Sequence, residues 1–115
     1  MDRNAIEETS FRLAIRIVNL RKYLVEAKRE FVLSKQLLRS GTSIGANVAE
    51  AKQAQSRSDF ISKLSIALKE ATETKYWIRL LYATEYLTQE EYSSIYDDCT
   101  EVEKLLVSIL KSLKK

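Results

Sequence analysis

Between residues 12 and 39 the chain places eight cationic side chains, Arg12, Arg16, Arg21, Lys22, Lys28, Arg29, Lys35 and Arg39, against Glu26 and Glu30, a net charge of +6. Between residues 80 and 103 it places seven acids and no Lys or Arg, net −7. Guanidinium and ammonium groups at this density hold phosphates largely without regard to base sequence, and the binding weakens steeply with salt. Arg12, Arg16, Arg21, Lys22, Lys28, Arg29 and Arg39 are therefore candidate nucleic-acid contacts, for RNA or DNA. A second reading stays open: basic and acidic faces meet each other between subunits, or are simply solvated.

Little else in the chain offers chemistry. It has no histidine, so the commonest general base and nitrogen ligand are missing, and its one cysteine, Cys99, makes no internal disulfide or zinc set. No GxGxxG, P-loop or GxSxG run occurs. The expectation is a protein without catalytic residues, metal or cofactor. Ser43, Asn47 and Glu50 form a short polar line at helical spacing, with Asn47 and Glu50 adjacent on the surface. That line suits a hydrogen-bond network that sets helix register, or else a polar pocket; a carboxylate beside an amide, lacking a base or metal, is a poor catalytic set.

The elements that carry these residues follow from composition and periodicity. There is no proline and there are two glycines, which implies long helices and few loops. The 45% hydrophobic and 30% charged content is that of a globular chain and not a disordered one. No apolar run approaches the roughly 18 residues of a membrane span, and the N-terminus MDRNAIEETS has no apolar signal region, so a cytoplasmic protein without membrane association is expected.

Apolar residues repeat at helical spacing in four blocks. Leu13, Ile17, Leu20, Leu24, Ala27 and Phe31 mark a helix over about 9–30, its face widened by Phe11, Ala14, Val18 and Val25. Leu33, Leu37, Ile44, Val48 and Ala51 mark one over 34–55, with Ser34 as N-cap. Phe60, Leu64, Ala67, Ala71, Thr74, Ile78 and Leu81 mark one over 57–86, opened by a variant capping box of Ser56 and Asp59. Tyr92, Ile95, Cys99, Val102, Leu106, Ile109 and Leu113 mark the last, over 89–113, opened by a Thr88–Glu91 capping box and closed by Lys111, Lys114 and Lys115. On this stripe Cys99 reads as a buried structural thiol. Short connections make neighbouring helices antiparallel, so the expected fold is all-α, one up-down-up-down four-helix bundle over 1–115.

Two features of these helices need explaining. In SGTSIGANVAEA, residues 40–51, Gly41 and Gly45 share one helix face, and each costs roughly 1 kcal/mol relative to Ala. Small residues there let a neighbouring backbone approach closely, in the bundle or at a subunit contact. In YWIRLLYATEYL, residues 76–87, Tyr76, Trp77, Leu80, Tyr82 and Tyr86 carry more apolar surface than one small bundle easily buries, which points to a subunit interface.

The run Arg39, Ser43, Ile44, Asn47, Val48, Ala49, Glu50, then Phe60, Ile61, Leu64, Ile66, Ala67, Ala71, then the turn from Tyr86 to Tyr92, resembles the four-helix bundle family of 23S rRNA intervening sequence proteins, also labelled S23 ribosomal proteins. The resemblance covers residues 11–113. The sequence departs from the family pattern at Gly45, often Pro there, and at Ala51, often Gly there. The resemblance implies a homo-oligomer, a pentamer with a central channel. It also implies kinship with accessory proteins of diversity-generating retroelements, which bind a reverse transcriptase and nucleic acid through basic surfaces. Together these readings give a non-enzymatic oligomer that binds RNA or an RNA–DNA intermediate through the first helix. The competing function is a protein adaptor that does not touch nucleic acid.

Overall fold

Thr88 and Glu91 bond reciprocally: the Glu91 carboxylate accepts from the Thr88 N–H at 2.8 Å and the Thr88 hydroxyl accepts from the Glu91 N–H at 3.2 Å. This capping box satisfies two donors that the first helical turn would otherwise leave open. Ser56 caps the preceding helix in the same way, its hydroxyl accepting from the Asp59 N–H at 3.0 Å, while Asp59 reaches back to the Gln55 N–H and not to Ser56. A computed structural model describes residues 3–113, and four helices follow in order: α1 (Arg3–Glu26), α2 (Leu33–Ala51), α3 (Arg57–Ala83) and α4 (Gln89–Leu113). Lys111 lies in the last turn of α4. Met1, Asp2, Lys114 and Lys115 lie outside the described residues.

Each helix packs antiparallel on the next, and α4 returns to α1, giving an up-down-up-down bundle about 45 Å long. The core is the sum of the four stripes: Leu13, Ile17 and Leu24 from α1, Leu37, Ile44 and Val48 from α2, Leu64, Ile78 and Leu81 from α3, Cys99, Val102 and Leu106 from α4. Burying side chains of this size contributes about 1.5–3 kcal/mol each before entropy is counted.

Five helix boundaries differ from the sequence expectation, the first being the start of α1, which lies at Arg3 and not near residue 9. α1 ends at Glu26, not near residue 30, and the chain turns through Arg29 in the left-handed region, φ 55°. Ala27 and Phe31, expected on the core stripe, are therefore exposed. Ser34 is not the N-cap of α2. The helix starts at Leu33, and the cap is the Glu30 carboxylate, which accepts from the N–H groups of Val32, Leu33 and Ser34 at 3.2, 3.0 and 2.7 Å. α2 ends at Ala51 and α3 at Ala83. The α3 end is a Schellman turn with Glu85 left-handed at φ 70°, the Tyr86 N–H bonding the Leu81 carbonyl and the Glu85 N–H bonding that of Tyr82. No glycine marks either reversal, because both are spent inside α2.

Gly41 and Gly45 face α1. A methyl group at Gly41 would stand 2.8 Å from two side-chain carbons of Ile17; one at Gly45 would stand 3.4 Å from the Ser10 carbonyl oxygen. The small-residue line thus serves contact within the bundle. It rises out of the interface along the helix, since Ala49 is exposed.

Candidate nucleic-acid interface

Helix phase divides the cations of α1. Arg16 points toward α4, where its guanidinium donates to Asp98 and, at 2.9 Å, to the Ser94 hydroxyl. Arg12 lines the same α1–α4 seam with Asp98 and Glu101. Arg21 points the other way, toward α2, and its Nε donates to the buried Ser34 hydroxyl at 3.2 Å. Ser34 in turn donates to the Glu30 carbonyl at 2.8 Å. Arg39 is committed to α3, pairing with Glu73 and with Glu70 at 3.4 Å; Glu73 also accepts the Trp77 indole N–H at 2.9 Å. Basic and acidic groups therefore meet first within one chain.

Lys22, Lys28, Arg29 and Lys35 remain. All four are exposed, gathered by the end of α1, the turn after it and the start of α2. None of them makes an ion pair with the described residues. Lys28 lies 5.9 Å from the Tyr23 ring centre, and Arg29 5.4 Å from that of Phe31. This corner of the bundle gathers cations that no carboxylate of the described residues holds.

The polar line of α2 is a set of local bonds. The Asn47 amide donates to the Ser43 carbonyl at 2.9 Å, and Glu50 pairs across to Lys63 of α3 at 3.0 Å, a bond whose acceptor and charge raise the Lys63 pKa. Deeper in the same α2–α3 contact, the Thr74 and Ser40 hydroxyls, both fully buried, sit 3.0 Å apart and key the two helices together. Lys75 of α3 bonds Glu103 of α4 at 2.9 Å; burial lowers its pKa, but the hydrogen bond and charge of Glu103 outweigh this and raise it. Cys99 is enclosed, its thiol donating weakly to the Ala71 carbonyl, and burial pushes its pKa up to about 12. Among the described residues no group of three or more potential metal ligands gathers.

Of the five residues expected at a subunit interface, Trp77, Leu80 and Tyr86 are half-buried, Trp77 and Tyr86 against the core. Tyr76 is 53% exposed and Tyr82 38%. Tyr82 stacks on Tyr92 of α4, ring centres 4.4 Å apart, and Tyr76 and Tyr82 line a shallow groove with Arg79, Leu80, Ala83 and Tyr92.

The larger exposed apolar surface was not anticipated. Phe11, expected to widen the core face, is 67% exposed, Ile15 is 47% and Val18 36%. They stand at i, i+4 and i+7 on α1, one stripe turned away from the core. The signal was present in the sequence: apolar residues occupy more of α1 than one ~100° core-facing stripe can use.

No helix of the described residues is long and apolar enough to cross a membrane. No curated protein matches this chain significantly. The fold does have a solved counterpart, the crystal structure of a protein of unknown function from the S23 ribosomal protein family of Bacteroides thetaiotaomicron. The two are 62% identical over 96% of this chain and 99% of that one, with a TM-score of 0.95. The family model for the 23S rRNA-intervening sequence protein matches residues 3–108. With four antiparallel helices, the Ser43–Glu50 motif on α2 and this match over nearly its whole length, the chain belongs to the 23S rRNA-intervening sequence protein family.

Proposed function

We propose that this protein is a non-enzymatic helical bundle that associates with copies of itself and binds RNA or DNA by phosphate contacts. The observation that carries the nucleic-acid reading is the exposed, unpaired set Lys22, Lys28, Arg29 and Lys35 at one corner of the bundle. Arg12 extends it along α1, whereas Arg16, Arg21 and Arg39 hold the fold together and add only background potential. Four phosphate contacts give a log affinity versus log salt slope of about −3.6 on duplex DNA, and about −2.8 on single strands. Titration of a structured RNA and a DNA duplex at low and near-physiological salt tests this. Binding with such a slope, reduced by about three contacts in Lys22→Glu/Lys28→Glu/Arg29→Glu, supports the reading; no binding at low salt refutes it.

The adaptor reading has its own observation, the exposed stripe Phe11, Ile15 and Val18, because apolar side chains gain nothing from phosphate. There the bundle scaffolds another protein, such as a reverse transcriptase. Co-purification of a partner that Phe11→Glu abolishes supports it; a self-associating protein whose stripe is already covered argues against it.

A further inference from the structure

The corner that gathers Lys22, Lys28, Arg29 and Lys35 also carries apolar surface that phosphate contacts do not use. Phe31 is 46% exposed, Val32 72% and Tyr23 37%. Phe31 falls on the core stripe by sequence period, and the early end of α1 at Glu26 releases it to solvent. The turn that displays it is held on both sides. The Glu30 N–H bonds the Leu24 carbonyl at 2.9 Å, the buried Glu30 carboxylate caps α2, and the Ser34 hydroxyl links Glu30 to Arg21. Tyr23 stands on the last turns of α1 itself. Both rings are thus set on a fixed backbone, and a ligand that uses them loses little to ordering it.

Each ring has a cation beside it. Lys28 Nζ lies 5.9 Å from the Tyr23 ring centre, and the Arg29 guanidinium 5.4 Å from that of Phe31. Glu26 is the one exposed acid among residues 22–35. Rings beside cations match a strand in which flat bases alternate with phosphates: a base stacks on the ring and the neighbouring phosphate meets the cation. Base faces are open only where the strand is unpaired. In a duplex they lie inside the stack, so Tyr23 and Phe31 add nothing and the cations act alone. An anionic bilayer attracts the same cations, but insertion gains with buried apolar area, and a tip of Phe31 and Val32 offers little of it.

We propose that this corner binds single-stranded nucleic acid in preference to duplex, with Tyr23 and Phe31 as stacking platforms for unpaired bases and Lys22, Lys28, Arg29 and Lys35 as phosphate contacts. This deepens the nucleic-acid reading above and rests on it. Each stacked base raises affinity about 5- to 140-fold. Stacking releases no counterions, so it strengthens binding without changing the salt slope, and the preference for the single strand grows as salt weakens the phosphate contacts.

Fluorescence anisotropy over a salt series tests this with a labelled DNA strand of about 12 nucleotides, alone and annealed to its complement. At near-physiological salt the single strand should bind about fivefold tighter than the duplex, or more. Phe31→Ala and Tyr23→Ala, both at exposed positions and checked for unchanged helix content, should each weaken single-strand binding by at least about fivefold. Duplex binding and both salt slopes should stay as in the wild type, and Phe31→Tyr, which keeps a ring, should keep the affinity. The same strand with its bases removed and its phosphates intact should bind the wild type no better than the duplex does. If the alanine variants leave single-strand binding unchanged, or the abasic strand binds as well as the complete one, the stacking inference falls while the phosphate reading stands. Binding of neither form at low salt overturns both. Capture by phosphatidylserine–phosphatidylcholine vesicles that Phe31→Ala abolishes, with strand binding untouched by that variant, gives the corner to a membrane and overturns the inference.

Discussion

Replacing Gly41 by Ala should destabilise the bundle although alanine is the better helix former. The new methyl would lie 2.8 Å from both Cγ1 and Cγ2 of Ile17, which is fully buried. Those two carbons hang directly from Cβ of a β-branched side chain with one favoured helical rotamer, so they have little room to yield. Overpacking of this kind costs about 1–3 kcal/mol, and here the upper end applies. Helix propensity returns about 1 kcal/mol. The net loss is then about 2 kcal/mol, a fall in Tm on the order of 8 °C for a chain of this size. Gly45→Ala is the control. Its methyl comes no closer than 3.4 Å to its nearest neighbour, the Ser10 carbonyl oxygen, so the propensity gain prevails and the variant gains up to about 1 kcal/mol. Urea unfolding followed by far-ultraviolet circular dichroism, at one fixed subunit concentration, measures both. Ile17→Ala removes both opposing carbons. In that background, itself about 2–5 kcal/mol less stable, Gly41→Ala should become neutral or stabilising. A Gly41→Ala protein that melts at or above the wild type, or one that Ile17→Ala does not rescue, would refute the close-approach argument.

Three further outcomes are expected. Glu30→Ala removes the acceptor of three α2 N–H groups and should cost about 1–2 kcal/mol, whereas Ser56→Ala, which loses one such bond, should cost about 1; equal effects in urea titration would contradict the cap assignment. Cys99 stays protonated in the fold up to about pH 12, against 9.0 for a free thiol, so its contribution is intact below the lower value and fades as pH rises between the two, by up to about 1.4 kcal/mol per unit. Cys99→Ala should flatten the alkaline limb of the stability profile relative to wild type, and parallel profiles would contradict this. Arg16→Gln and Asp98→Asn should each lose about 0.2–1 kcal/mol, because the pair is partly exposed. Their double variant should lose little more than either alone, and full additivity in a double-mutant cycle would show that the pair is uncoupled.

Much of the fold was legible from local chemistry. The heptad of α4 from Tyr92 to Leu113 and the Thr88–Glu91 box define that helix from side chains within a few residues of each other, and local signals of this kind survive folding unchanged. The two glycines of α2 announced a close approach for the same reason: only a helix neighbour explains two costly residues on one face. Boundaries at Glu26 and Ala83 were not legible. Arg29 and Glu85 take the left-handed conformation that glycine usually marks, and Glu30 caps α2 from outside the helix where Ser34 was the ordinary choice.

The candidate site divides in the same way. Sequence by itself determined the charge asymmetry, the lack of histidine and the four amphipathic stripes, because these are properties of composition and period. Only the tertiary structure decided which cations are free. Arg16 is bound to Asp98, 82 positions away, and Arg39 to Glu73, 34 positions away, pairings that exist because α4 closes on α1 and α3 on α2. The same closure settled the fate of Phe11, Ile15 and Val18. Apolar residues covering most of one helix cannot all face a core of four helices, and which row turned outward depended on how α2 and α4 share the space beside α1.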